Sequence, residues 1–306
     1  MLNAVMARAH RVCCAELGAM APTMAQIEGF EKSMVAMFRQ EWLLAGRSVP
    51  LKRIAIVDSA PQNQYLYPEF LLFQQLFERH GIHAVIADPS ELEWRNGALH
   101  HESLAVDLVY NRLTDFYLEQ PGSAALREAY LGKGIVLTPH PQAHALYADK
   151  RRLALFSDAL QLESLGVAPH IRQVLLEHVP HTEIVKTADA QRLWAARRSL
   201  FFKPVAGFGS RAAYRGDKLT KGVWQAILAG DYVAQAIVKP GDRSTGEVTL
   251  PVAMKFDLRA YAYAAKVQWL SARVYQGQTT NFRTSGGGFA PVYTTSDVPA
   301  PNTSAA

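Results

Sequence analysis

Apolar residues recur at helical spacing through the first 45 residues: Val5, Val12 and Leu17, then Ile27, Phe30, Met34, Met37, Phe38 and Trp42, either side of a break at Ala21, Pro22 and Thr23. The pattern predicts helices whose aromatic and methionine stripe packs into a core. Arg47 to Pro50 read as a turn. From Arg53 to Pro139 strand and helix patterns alternate: RIAIVD ending at Asp58, a helix around Pro68 to His80, HAVIAD, a paired excursion around Trp94 to His100, VDLVYN, a helix around Ala124 to Leu131, and GIVLT. Alternation of this kind predicts a mainly parallel sheet covered by helices, with ligands gathering beyond the strand ends. Asp58, Gln62, Gln64, Asn111, Arg112, Thr114 and Asp115 sit there, so VYNRLTDF is a candidate substrate wall. Loop capping by Asn, Thr and Asp is the competing explanation for each residue taken singly.

Pro139 to Pro141 mark a boundary, after which HALYADKRRLALFSDAL reads as one helix with Lys150 near its start. Residues 160–199 contribute helices and a short strand near Thr182 to Lys186. Leu200, Phe201 and Phe202 predict a buried strand that delivers Lys203 and then turns through Gly207 and Gly209 to Ser210. An amphipathic helix follows, with Leu219, Val223, Trp224, Ile227 and Leu228 on one face, then the strand DYVAQAIVKP, whose alternation breaks at Gln235. Residues 252–274 predict two long strands turning near Ala265 and Lys266. Asp257, Arg259 and Arg273 are embedded among their apolar residues, and charges so placed need a partner or a ligand.

A strand delivering a lysine into glycines suits phosphate: the ammonium supplies charge, and glycines let backbone N–H groups approach an anion closely. The lysine precedes the glycines, which excludes a Walker P-loop, where it follows them. Further along, Gln278, Asn281 and Arg283 precede Gly286, Gly287 and Gly288, a second place where backbone could approach a negative group. A flexible loop is the alternative there.

The series FFKPVAGFGS, YVAQAIV, FDLRAY and ARVYQGQTTNFRTSGGG resembles an ATP-grasp nucleotide-binding domain. Its order and spacing are similar to bacterial glutathione synthetase, and more closely to the circularly permuted ATP-grasp proteins, over residues 51–293. The resemblance implies an α/β (α+β) fold: a helical segment at 1–50, a parallel α/β pre-ATP-grasp domain at 51–140, and an ATP-grasp domain with a mixed or antiparallel sheet at 141–295. The tail 296–306, PAPNTSAA at its end, is expected to be disordered.

ATP-grasp ligases phosphorylate a carboxylate with ATP, and an amine or thiol then attacks the acyl phosphate. By resemblance, Lys150 and Lys203 would hold the α and β phosphates, Gly207, Gly209 and Ser210 would close over them, and main chain from Ala234 through Gln235 to Ile237 would read adenine. Arg259, with Arg273 and Arg283, would be the catalytic set, since a guanidinium binds two oxygens of a transferring phosphoryl group at once. Asn111, Arg112, Gln278 and Gly286 to Gly288 would meet substrate.

The chemistry also implies Mg²⁺, held in ordinary members by an acid and a Glu-x-Asn after the glycine-rich loop. The segment following that loop contains one acid, Asp297, and no Glu-x-Asn. In permuted relatives that motif precedes a helix resembling LNAVMARAHRVCC, where this chain begins. The expectation is either a start further upstream or a shortened member with a compromised metal site, leaving Asp257 and Asn281 as candidate ligands. Two functions are therefore carried: an ATP-dependent carboxylate–amine (or thiol) ligase, and a nucleotide-binding sensor or assembly partner without catalysis.

Composition narrows the partners. The chain has 306 residues, 49% of them hydrophobic, enough for two compact units. Its formal charge of +5 comes from basic residues scattered among acids, which disfavours a nucleic-acid footprint and points to small anions; the resemblance implies that these are ATP and a small carboxylate. No apolar run approaches the roughly 20 residues that span a bilayer. Arg8, His10 and Arg11 fall where a signal peptide would be apolar, so a cytoplasmic protein is expected. Cys13 and Cys14 have no partners at ligand spacing and read as inert thiols in a reducing compartment. Exposed apolar surface is expected to favour association of copies.

Overall fold

A computed structural model describes residues 1–14, 21–245, 252–278, 280–281 and 284–293. The chain forms two compact units, Met1–His140 with Gly241–Ala306, and Pro141–Pro240. The tail expected to be disordered, with Asp297, lies outside the described residues.

The first unit opens with helices α1 (Leu2–Cys13) and α2 (Met24–Leu44). Thr23 starts α2 with a capping box: its hydroxyl accepts from the Gln26 N–H at 3.2 Å, and the Gln26 side chain accepts from the Thr23 N–H at 2.7 Å. Then come β1 (Arg53–Val57), α3 (Tyr67–Arg79), β2 (His83–Ala87), β3 (Leu92–Arg95), β4 (Ala98–His101), β5 (Leu104–Val106), β6 (Leu108–Asn111), α4 (Ala124–Leu131) and β7 (Val136–Thr138). Strands β2-β1-β6-β7 form a parallel sheet in that order, and β3-β4-β5 a small antiparallel one, the predicted paired excursion. Alternation along the strands feeds two cores. Ile54, Ile56 and Leu108 pack with Phe38, Phe70, Phe73 and Phe77, whereas Ala55, Val57 and Val109 pack with Leu92, Leu99, Leu126 and Ala129.

The second unit holds α5 (Pro141–Tyr147), α6 (Arg151–Phe156), α7 (Ala159–Ser164), α8 (Pro169–His178), β8 (Thr182–Ile184), α9 (Ala190–Ala196), β9 (Leu200–Pro204), β10 (Tyr214–Arg215), α10 (Lys221–Ala229) and β11 (Tyr232–Ala236). Its strands make an antiparallel sheet, β10-β9-β11-β8. The single helix expected from His144 onward is broken into three. Asp149 accepts from the Arg151 N–H at 2.8 Å, and Asp158 accepts from the Leu160 and Gln161 N–H groups at 3.0 Å, so both aspartates act as helix starts rather than interior residues. Lys150 therefore stands just ahead of α6. The core face carries Leu200, Phe202 and Ala234 against Trp224, Ile227 and Leu193. Phe201, Lys203 and Gln235, one residue out of phase, lie on the opposite face.

The chain then returns to the first unit with β12 (Gly241–Thr245), β13 (Val252–Tyr263), β14 (Lys266–Tyr275) and β15 (Gly288–Pro291), an antiparallel sheet in sequence order. The β13–β14 turn is a two-residue one at Ala264 (φ 47°) and Ala265 (φ 61°), one position before the expected place. Positive φ at both central residues matches the right-handed twist of a hairpin. Helices α1 and α2 pack on this sheet: Phe30 stacks on Trp269 at 4.7 Å, Tyr263 Oη donates to Glu41 at 2.7 Å, and Asn3 Nδ2 donates to Tyr261 Oη at 3.2 Å. Among the described residues no helix is long and apolar enough to cross a membrane.

Candidate functional site

In the second unit, β9 ends by directing Lys203 onto the face away from the core. Lys203 pairs in register with Val233, and its Nζ crosses diagonally to donate to Gln235 Oε1 at 2.6 Å. Gln235 is buried, and its Nε2 donates to Thr182 Oγ1 at 2.9 Å, which in turn donates to the Pro180 carbonyl at 2.8 Å. Lys150 reaches the same neighbourhood: its N–H donates to the Val205 carbonyl at 3.0 Å, and its Nζ to the Gly207 carbonyl at 3.3 Å.

These two lysines lie close enough to repel one another. Burial pushes the Lys203 pKa down, and the Lys150 ammonium pushes it further the same way. Burial lowers that of Lys150 too, with Asp149 opposing, and His144 is held low by burial and by Lys150. Both ammoniums meet neutral acceptors, a carbonyl and an amide, and among the described residues neither is hydrogen-bonded to a carboxylate. The loop beyond Pro204 carries Gly207 (φ 131°), Gly209 (φ 59°) and Ser210 (φ 59°), all exposed. A Cβ at Gly209 would meet nothing within 4 Å, so backbone conformation rather than crowding favours glycine there.

Of the main chain expected to read adenine, the Ala236 N–H donates to the His181 carbonyl at 2.8 Å and the Ile237 N–H to the Ser199 carbonyl at 2.9 Å. Ala234 is buried in the core. Val238, 68% exposed, is the first residue past the strand whose N–H has no partner among the described residues, a position the sequence reading passed over.

In the first unit, Asp257 and Arg273 face one another on β13 and β14. Arg273 Nε and Nη2 donate to the two Asp257 oxygens at 2.8 and 3.0 Å, and Thr280 Oγ1 adds a bond at 2.6 Å. Arg259, opposite Ser271, lies over the Tyr261 ring at 5.9 Å. Asn281 closes its own loop: its Nδ2 donates to the Gln276 carbonyl at 2.8 Å, and its Oδ1 accepts from Thr284 Oγ1 at 3.0 Å. Gln278 is exposed, and Arg283 lies outside the described residues. The glycine run returns the chain to the sheet. Gly288 opens β15, and a Cβ on Gly287 would stand 2.6 Å from the Val274 carbonyl oxygen.

The two candidate Mg²⁺ ligands do not fit an ion as placed. Asp257 is engaged by a bidentate guanidinium and a hydroxyl, and Asn281 supplies a single neutral oxygen already accepting a bond. Among the described residues no group of three or more His, Cys, Asp or Glu side chains could hold a metal.

At the strand ends of the parallel sheet, Arg112 continues from β6 and Asp58 from β1. Arg112 Nη1 donates to Tyr110 Oη at 3.0 Å. Asn111 is turned inward instead: buried, it donates to the Pro139 carbonyl at 3.1 Å and accepts from the Leu113 N–H at 3.0 Å. The capping explanation thus accounts for Asn111, and also for Asp115, which accepts from the Glu119 and Gln120 N–H groups.

No family model and no curated protein match this chain. Solved structures do. A glutathione synthetase-like effector from Globodera pallida, in apo form, aligns with TM-score 0.53 and 14% identity over 89% of this chain and 59% of its own. The ATP-grasp ligase PsnB, complexed with minimal precursor, Mg and ADP, aligns with TM-score 0.39 and 14% identity over 77% of this chain and 86% of its own. The D-cycloserine synthetase DcsG aligns with TM-score 0.37 and 19% identity, covering 66% of this chain and 67% of that one. The chain spans less than two thirds of the first of these proteins, and at these identities the likeness concerns the fold alone, which is shared with that glutathione synthetase-like effector.

Proposed function

We propose that this protein is an ATP-dependent ligase that activates a small carboxylate as an acyl phosphate and transfers it to an amine or thiol. The observation that carries the reading is the Lys150–Lys203 pair: two partly desolvated ammoniums, held by neutral acceptors, whose repulsion a polyphosphate would relieve. Lys150 and Lys203 would take the α and β phosphates, with the loop from Gly207 to Ser210 over them. Adenine would lie along the main chain that follows Gln235, where Val238 offers a donor. Arg259 would stabilise charge growing on the transferred phosphoryl group, a task suited to a planar two-toothed guanidinium. Arg273 would act by keeping Asp257 neutralised. The ATP-grasp ligase PsnB is found with Mg and ADP, whereas Asp257 and Asn281 of this chain are committed to other partners.

That same commitment favours a second reading, an ATP-binding protein without catalysis that serves as a sensor or assembly partner. One assay separates them. ADP release from ATP is followed with the full chain and Mg²⁺ while pools of carboxylic acids, amines and amino acids are added. Acceptor-dependent ADP release supports the ligase. ATP binding with no ADP release under any pool supports the second reading, and absence of ATP binding removes both.

A further inference from the structure

In the parallel sheet, β1 pairs with β2 on one side and β6 on the other, so the strand order reverses at the β1/β6 junction. Connections leave such a junction toward opposite faces and open a crevice beyond the strand ends, where ligands of open α/β sheets bind. Two charged residues flank it. Asp58 follows β1, its N–H donating to the Ala87 carbonyl at 3.3 Å, and Arg112 follows β6, its N–H donating to the Val57 carbonyl at 2.8 Å.

Arg112 is built as an anion clamp with most of its capacity unused. The guanidinium lies over the Phe70 and Tyr110 rings at 5.5 and 5.4 Å, and the side chain is 26% exposed. It carries five N–H donors. Among the described residues it donates a single side-chain hydrogen bond, to Tyr110 Oη, and forms an ion pair with the Glu69 carboxylate at 3.9 Å, beyond hydrogen-bond distance. None of its nitrogens is both sealed from solvent and unpartnered, so the spare donors open outward.

The surroundings are not those of a simple anion site. Glu69 and Asp58 both lie within electrostatic reach of Arg112, and Asp88 within reach of Asp58. The Asp58 carboxylate accepts one bond, from the Ser59 N–H at 2.8 Å, and no ion pair joins it to Arg112 among the described residues. Burial raises its pKa, with Asp88 adding to the effect, so a cation beside it would be welcome. One guanidinium with free donors and one carboxylate with a free oxygen, side by side but unjoined, complement a ligand bearing both charges.

We propose that this crevice binds an α-amino acid or a molecule with the same charged end, its carboxylate on Arg112 and its ammonium on Asp58. Tyr110 and Glu69 are positioning residues that hold the guanidinium's orientation. The inference names the class of one substrate of the proposed ligase, and it rests on that reading only for what later happens to the bound molecule.

The test is calorimetric titration of the full chain, without ATP, by each standard amino acid, followed for a binder by its deaminated acid and its decarboxylated amine. The expected result is that an amino acid binds, that both analogues bind about tenfold or more weakly, and that Arg112→Gln and Asp58→Asn each weaken the amino acid to a similar degree. If Arg112→Gln does not fold, Arg112→Lys and the analogue series on the unaltered protein still decide. No binding by any amino acid, or a deaminated acid that binds as tightly as its parent with Asp58→Asn without effect, overturns the proposal. ATP is titrated separately: ATP binding without amino-acid binding defeats this inference alone, and amino-acid binding without ATP binding defeats the ligase reading alone.

Discussion

Lys203 donates to Gln235 across adjacent antiparallel strands at 2.6 Å, and this contact explains both residues. Gln235 breaks the apolar alternation of its strand because it is a buried amide that joins a lysine to Thr182. Lys203 is thereby held at one place on the sheet face while keeping donors for an anion.

Replacing Lys203 with Ala is expected to weaken ATP about tenfold or more, the loss of a charge-assisted contact of roughly 1.5–3 kcal/mol. Calorimetric titration measures it, with circular dichroism to show the fold intact. Unchanged affinity in a folded variant would remove Lys203 from the site.

The lowered pKa of Lys203 also gives a pH signature. Its folded-state value lies below the ordinary 10.5, so between the two the unfolded chain binds more protons, and stability gains as pH rises through that window. Below it the cost of holding the charged form is fully present. A bound polyphosphate reverses the sign by favouring the ammonium. ATP binding in that alkaline window is therefore expected to take up protons, seen as a dependence of the binding heat on buffer ionisation enthalpy, and Lys203→Met should reduce the uptake. Proton release on binding would contradict the assignment.

Much of this was legible in the sequence because burial writes itself as period. The runs ending at Asp58, Asp88 and Asn111 became parallel strands, and Ile27, Phe30, Phe38 and Trp42 became buried positions. Periodicity names a buried face but not its partner. Nothing in the spacing of Phe30 or Glu41 tells that they meet Trp269 and Tyr263, more than two hundred residues on. The continuous helix expected around Lys150 failed for a local reason, since Asp149 and Asp158 bond backbone N–H groups and restart the helix. The demand that Asp257 and Arg273 find partners was readable, but that they would satisfy each other depended on strand register.

That pair supplies a stability prediction. Arg273 and Asp257 are 22% and 29% exposed and joined by two parallel bonds, so removing one charge leaves the other poorly solvated. Arg273→Gln and Asp257→Asn are each expected to destabilise by about 1–3 kcal/mol, and the double variant by less than their sum. Urea denaturation of the four proteins reads the coupling. Strict additivity would mean that the pair contributes nothing, freeing Asp257 for another ligand.

Arg259 differs because its guanidinium lies over Tyr261 and, among the described residues, is not tied to a carboxylate. Arg259→Lys keeps the charge and loses the planar fork. In the ligase reading the change should lower kcat by about tenfold or more with ATP affinity unchanged, because charge on the phosphoryl group grows only toward the transition state. A variant with full maximal rate would make Arg259 structural.

The glycine run separates a structural from a ligand-binding explanation by comparing two neighbours. A Cβ at Gly287 would lie 2.6 Å from the Val274 carbonyl oxygen and 2.9 Å from Thr284 Cβ, and the backbone on one side of that contact is the strand that pairs with β15. Gly286, by contrast, has nothing within 4 Å and only its φ of 70° against a side chain. Gly286→Ala should therefore cost about 1–2 kcal/mol for the left-handed backbone alone, whereas Gly287→Ala, at a backbone without positive φ, must push β14 and β15 apart at about 1–3 kcal/mol of overpacking strain. Denaturant midpoints order the two. If Gly287→Ala keeps wild-type stability while acceptor-dependent ADP release is abolished, the close approach serves a ligand, and Gly286 to Gly288 return to the substrate site for which their sequence first suggested them.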